Sequence, residues 1–280
     1  MAVVFDEWNG GELDSFLIEI TANILRFRDE DGKPLLDKIL DVAGQKGTGK
    51  WSAIAAMDEN DPLTLITEAV YARLLSALYP ERIKAASLYS GKLKVESGKL
   101  SDNAQLSIED VRQALYAAKL ISYAQGFSLL RHASEHYGWD LDYGTIARIW
   151  RKGCIIRSVF LQKITEAYRK DPDLENLLFD DFFHTKIQEA LPAWRRVVAE
   201  GALSGVALPA MSSALNYFDG LRTLYSAANM IQAQRDYFGA HTYERTDRER
   251  GHFFHTNWTG KEAIRFRARI ASDSTVLELS

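Results

Sequence analysis

The chain has 280 residues, 46% of them hydrophobic and 26% charged, with a formal net charge of −4. That length can bury a sizeable core as one large domain or two small ones, and the acidic balance argues against a nucleic-acid partner while leaving room for a local basic pocket for a small anion. No apolar run approaches the ~20 residues of a membrane span, the opening MAVVFDEWNGGELDSF lacks the basic and apolar regions of a secretory signal, and the single cysteine, Cys154, cannot form an internal disulfide, so a cytoplasmic protein is expected.

In chain order, apolar residues recur at i, i+3 and i+4 over residues 12–28, 34–43, 62–88, 107–137, 142–168, 184–201 and 209–238. Strands rarely reach such lengths, and the expected fold class is all-α. Gly32 with Pro34, Asp61 with Pro62, Asp171 with Pro172, and Pro209 mark turns or helix starts. Residues 90–105, SGKLKVESGKLSDNAQ, are poor in apolar side chains and read as a surface loop or linker. After Tyr243 the period fails. Residues 1–241 are therefore expected to form a helical domain and 242–280 an extended tail, whose Phe253, Phe254 and Trp258 need a surface to dock on, often that of another subunit.

Two arginines fall within apolar stripes. Stepping 100° per residue puts Arg73 about 20° from Ile66, among Leu63, Val70 and Ala77, and groups Arg235 with Tyr217, Leu224, Ala228 and Phe238. Both are expected to face inward, where a guanidinium needs an anion: a carboxylate of the chain or an acid group on a ligand. Arg235 and His241 are separated by Gly239, where a helix can end, so both side chains could reach one acceptor.

Three further motifs carry competing readings. GQKGTGKW, residues 44–51, misses the nucleotide-binding GxxxxGK[ST] pattern because Trp51 replaces the hydroxyl, and a helix rather than a strand is expected before it. Its Lys46, Thr48, Lys50 and glycines can still bind phosphate without nucleotide chemistry. HASEH, residues 132–136, has zinc-hydrolase spacing, but a solvated helix face accounts for it more simply. His184, His252 and His255 have no ligand spacing, Cys154 is expected in an apolar helix with no activating base beside it, and the Asn257-Trp258-Thr259 sequon carries little weight without a secretory route.

QKGTGKWSAIAAMDENDPLTLITEAVYARLLSAL, YAQGFSLLRHASEHYGWDLDYGTIARIWRKGCIIRSVFLQKI and NMIQAQRDYFGAHTYER with FHTNWTG closely resemble the C-terminal domain of the decarboxylating 6-phosphogluconate dehydrogenases, from about Phe5 to Gly260. The resemblance implies a helical substrate-binding and dimerisation domain. It also implies that the complete enzyme oxidises 6-phosphogluconate with NADP, releasing CO₂ and ribulose 5-phosphate in the pentose phosphate pathway without a metal. Carried over residue by residue, it implies that Lys46, Thr48 and Arg73 bind the substrate phosphate, joined by Arg235 and His241 from the other subunit of a homodimer, with the tail threading into that subunit. The family's nucleotide-binding domain and the helix bearing its lysine base and glutamate acid have no counterpart here, so this chain alone is expected to bind no cofactor, to contain no catalytic residue and to be inactive. Residues 261–280 depart from the family ending, as an irregular extension or as a strand from the alternation at Ile264, Phe266, Ala268 and Ile270. Two other readings stand beside this one: a non-catalytic helical partner that regulates a full-length relative through mixed dimers, and a P-loop phosphotransferase.

Overall fold

The computed structural model describes residues 1–44, 46–89, 106–151 and 153–259; the expectations for the 90–105 linker and for 261–280 lie outside the described residues. The chain divides into two compact units, Met1–Arg222 and Thr223–Ser280. The first is helical. It contains α1 (Ala2–Asn9), α2 (Phe16–Arg26), a short 3₁₀ turn (Leu35–Lys38), α3 (Thr48–Asp58), α4 (Thr64–Ser76), α5 (Tyr79–Tyr89), α6 (Ile108–Tyr137), α7 (Tyr143–Ile149), α8 (Leu161–Lys170), a second 3₁₀ turn (Leu177–Phe179), α9 (Asp181–Leu203) and α10 (Pro209–Leu221). The second contains α11 (Ala228–Gly239) and an antiparallel pair, β1 (Tyr243–Glu244) with β2 (Phe253–Phe254). Among the described residues no helix is long and apolar enough to cross a membrane.

The core of the first unit is built on α6 and α9. Ala114, Ala117, Leu120, Ile121, Ala124 and Phe127 are buried along α6, and Phe183, Ile187, Ala190, Trp194 and Val197 along α9. The alternating three- and four-residue spacing puts each set on one stripe, and the alanines let the two backbones approach. α6 starts on a capping box: Asp110 N donates to Ser107 Oγ at 3.0 Å, and Ser107 N returns a bond to Asp110 Oδ2 at 2.8 Å. That backbone donor, the nearby Arg196 guanidinium and the Ser107 hydroxyl hold the Asp110 carboxyl down at about 2. α6 ends at Gly138, whose φ of 66° is the left-handed conformation that closes a helix.

Several expected helices are interrupted. The one expected over 34–43 shrinks to the 3₁₀ turn at Leu35–Lys38. The one expected over 142–168 breaks between Ile149 and Leu161, because Gly153 turns the chain at φ 69° and Ser158 forms a β-bridge with Ser15. Cys154 therefore lies in a turn, not in an apolar helix. The helices α1 and α3 lie outside the seven segments of helical period.

Lys119 is the one conflict within α6. Its Nζ is buried without a hydrogen-bond partner, 5.2 Å from the centre of the Phe160 ring. Burial pushes its ammonium from an ordinary 10.5 down to about 8, with Asp14 pulling the other way. Below about pH 8 the folded state carries the full cost of a charged, dry ammonium. Between about 8 and 10.5 the unfolded chain binds more protons, so stability rises with pH. Lys119→Met is accordingly expected to stabilise the protein by on the order of 1–3 kcal/mol at neutral pH. Urea denaturation of both proteins across pH 7–10 checks it; a gain that stays constant with pH would show that desolvation is not the cause.

Candidate functional site

The polar side of α6 sets the position of α4. Gln125, fully buried, accepts from Leu65 N at 3.0 Å and donates from Nε2 to Thr64 Oγ1 at 2.9 Å. It thereby caps a helix whose own N-cap, Leu63, has no side-chain acceptor. One turn on, Ser128 Oγ donates to Asp61 Oδ2 at 2.7 Å, and His132 Nδ1 lies 2.8 Å from the same oxygen. His136 Nδ1 lies 2.8 Å from Glu59 Oε2. The HASEH histidines thus join a stripe, Gln125, Ser128, His132 and His136, that grips the turn between α3 and α4. Among the described residues they belong to no cluster of three or more metal-binding side chains.

α4 then packs along α3. A Cβ on Gly49 would stand 2.6 Å from Val70 Cγ2, so only glycine permits this approach. Arg73 follows Val70 by three residues, on the same side of α4. It donates to the Gly44 carbonyl, which fixes the chain two residues before Lys46. Gly47, at φ 118° and ψ −29°, turns the loop into α3, and Thr48 is the first residue of that helix. The start of α3 has no side-chain cap, leaving backbone N–H groups for an outside acceptor. Lys46, Thr48 and Arg73 are all exposed. Lys46 and Thr48 thus flank Gly47 at the start of α3, and Arg73 is tied to the same stretch of chain through Gly44; an ammonium, a hydroxyl, a guanidinium and a helix N-terminus are group types that suit a phosphate dianion.

The inward orientation expected for both arginines is corrected by the structure. Arg73 is exposed, as are Leu74 and Leu75 beside it, because the last turn of α4 runs past the edge of the core. Arg235 is exposed as well and donates from Nη1 to Gln232 Oε1 at 2.8 Å. Its helix, α11, buries no apolar side chain, and Met230, Ile231, Tyr237 and Phe238 are all open. Periodicity identified the stripes but not what they face.

Among the described residues of the second unit the buried one is Asp236, for which the sequence carries no local signal. It has 0% exposure and accepts from Thr242 N at 3.1 Å, Thr256 N at 3.0 Å and Trp258 Nε1 at 2.8 Å, with His255 Nδ1 at 2.9 Å. Burial pushes its carboxyl up, but these donors outweigh burial and hold it well below the usual range. The stability it contributes is present above the ordinary carboxylate value and is lost only in stronger acid. Asp236 is thus where the tail aromatic Trp258 docks, and it fixes the chain on both sides of the β1–β2 pair. Gly239 ends α11 as expected, and the left-handed turn falls on the next residue, Ala240 (φ 50°). The glycine serves another purpose: a Cβ there would lie 2.7 Å from the His241 ring, which packs edge-on to Phe238. Asp236→Asn is expected to free residues 242–258, with faster tryptic cleavage at Arg245, Arg248 and Arg250; an unchanged cleavage rate would count against the anchor.

The 6-phosphogluconate dehydrogenase C-terminal domain family matches residues 1–258. The chain belongs to this family. Decarboxylating 6-phosphogluconate dehydrogenases of Rattus norvegicus and Homo sapiens are 56% and 55% identical to it over 260 residues, 93% of this chain and 53% of each relative. A solved structure of Plasmodium falciparum 6-phosphogluconate dehydrogenase, described in apo form and in complexes with its cofactor NADP⁺ and its substrate 6-phosphogluconate, superposes with a TM-score of 0.86 at 43% identity, over 92% of this chain and 54% of that one. The chain therefore spans about half the length of the 6-phosphogluconate dehydrogenases it matches. The helical architecture expected from the resemblance is the one observed. Of the residues assigned from that resemblance, Lys46, Thr48 and Arg73 lie in the first unit, and Arg235 and His241 in the second.

Proposed function

We propose that this chain is the substrate-binding and dimerisation part of a decarboxylating 6-phosphogluconate dehydrogenase. Lys46, Thr48 and Arg73 hold the phosphate of 6-phosphogluconate, and Arg235 and His241 of a second subunit complete the site of a homodimer. The observation that carries this reading is the bond from Arg73 to Gly44 beside the uncapped start of α3, which supports one anion cradle at the loop. The exposed apolar residues of the second unit, Leu224, Tyr225, Met230, Ile231, Tyr237 and Phe238, favour a partner surface. A cytoplasmic location fits a metabolic enzyme of this family.

On this reading oxidative decarboxylation with NADP belongs to the complete enzyme, since the chain spans about half the length of its relatives, and the chain alone is expected to be inactive. Its own part is to orient the substrate by the phosphate, away from the reacting carbons, so that binding energy at one end positions the other.

The test is the melting temperature with 6-phosphogluconate and with gluconate, which lacks the phosphate. At about 100 times Kd the phosphorylated ligand should stabilise by about 2.7 kcal/mol, a shift of a few degrees. Equal shifts with both ligands, or a cooperative melt unmoved by either, would overturn the reading and favour a non-catalytic partner acting through mixed dimers.

A further inference from the structure

The described residues between the first 3₁₀ turn and α3 carry little hydrogen bonding of their own: Ile39 N reaches back to Leu36 O at 3.2 Å and Val42 N to Leu40 O at 2.9 Å. Their remaining order comes from side chains on α4 and α5. Ser76 Oγ accepts from Ala43 N at 2.9 Å and donates to the Arg73 carbonyl at 2.7 Å. Arg82 Nη1 donates to Asp41 O at 3.2 Å and to Ser76 O at 3.1 Å, and its other amino group pairs with the Asp41 carboxylate. Arg73 takes the Gly44 carbonyl. Three loop positions, 41, 43 and 44, are therefore tied to the α4–α5 corner by three side chains that are also tied to one another.

We propose that Ser76 and Arg82 are positioning residues for the anion cradle, holding residues 41–44 in register with Arg73 so that Lys46 and the start of α3 converge on the same phosphate. The inference rests on the phosphate-binding reading above. Neither residue has to touch the ligand. Ser76 ties the loop to the backbone of Arg73, and Arg82 ties the loop to the backbone of Ser76, so the loop and the arginine shift as one body. Without these ties the loop keeps its cationic groups, but it must be ordered when the ligand binds, and that ordering weakens affinity. The chain to Lys46 is short, so a slip at Ala43 is transmitted to its ammonium. Asp41 is neutralised by Arg82, which keeps a carboxylate near the cradle from opposing an incoming dianion.

The experiment is isothermal calorimetry of the purified chain with 6-phosphogluconate and gluconate, for wild type, Ser76→Ala, Ser76→Thr and Arg82→Ala. Ser76→Ala and Arg82→Ala are expected to raise the Kd for 6-phosphogluconate about five- to tenfold, the worth of one hydrogen bond. Gluconate binding should not change, and Ser76→Thr, which keeps the hydroxyl, should restore most of the affinity. The unliganded melting temperature of Ser76→Ala should stay near that of wild type, which separates positioning from unfolding. Wild-type affinity in Ser76→Ala, or a loss that Ser76→Thr does not restore, would overturn the positioning role while leaving the phosphate reading intact. A wild type that does not prefer 6-phosphogluconate to gluconate would overturn both.

Discussion

Arg73→Ala is expected to weaken binding of 6-phosphogluconate by about 1.5–3 kcal/mol, roughly ten- to 150-fold, the range for a hydrogen bond to a charged group. The lower part of the range is favoured because Arg73 is exposed and its charge is partly screened by water. Two effects add. The substitution removes a planar donor from the cradle, and it releases the Gly44 carbonyl that steadies the loop. Arg73→Lys separates them, since an ammonium keeps the charge while losing the fork. Calorimetry at two ionic strengths reads both effects: the wild-type advantage over Arg73→Ala should shrink at high salt. Equal affinity of wild type and Arg73→Ala would remove Arg73 from the site.

Trp194→Ala should have the largest effect on stability, about 3–5 kcal/mol. Trp194 is fully buried on α9 within the core shared with α6, and its Nε1 donates to the Met211 carbonyl on α10 at 3.2 Å. Removing it opens a cavity between helices and takes away the indole bond that ties α9 to α10. Against the usual 5–15 kcal/mol of a folded protein, this is a large fraction. Urea denaturation should show a lower midpoint with an unchanged slope. A loss below about 1 kcal/mol would mean that the α6–α9 packing is not the centre of the fold.

The helical class and the main core were legible because their signal is periodic. Phe183, Ile187, Ala190, Trp194 and Val197 are buried at the spacing that predicts a helix face. Periodicity failed where apolar residues are not core. Ile155 and Val159 are exposed in the turn segment between α7 and α8, so their spacing extended a helix that Gly153 ends. The same reasoning turned Arg73 and Arg235 inward: a stripe has a phase, but whether a neighbour covers it depends on where the helix ends relative to the core. Contacts made across the sequence were not legible at all. Gln125 looks like an ordinary polar helix residue until Leu65, sixty residues away, presents its amide. Asp236 looks like a surface acid until Thr256 and Trp258 return to it. The candidate site stood between these cases. Its glycine-rich loop and lysines were visible locally, but the grouping of Lys46, Thr48 and Arg73 came from the family resemblance, and Ser76 and Arg82 gave no local sign.

The polar stripe on α6 has a bearing on transplantation. Residues 41–76 look like a portable cassette, a loop and two helices carrying their own cationic groups. Yet the turn between the helices takes its bearings from Gln125, Ser128, His132 and His136, on a helix that would stay behind. Moved into another helical scaffold, the cassette would keep its chemistry and lose its frame of reference. α4 is 13 residues long, about 20 Å at the helical rise, so a small tilt where the stripe grips one end becomes a displacement of ångströms at the arginine near the other. A graft that preserves affinity must carry the four α6 side chains with the loop.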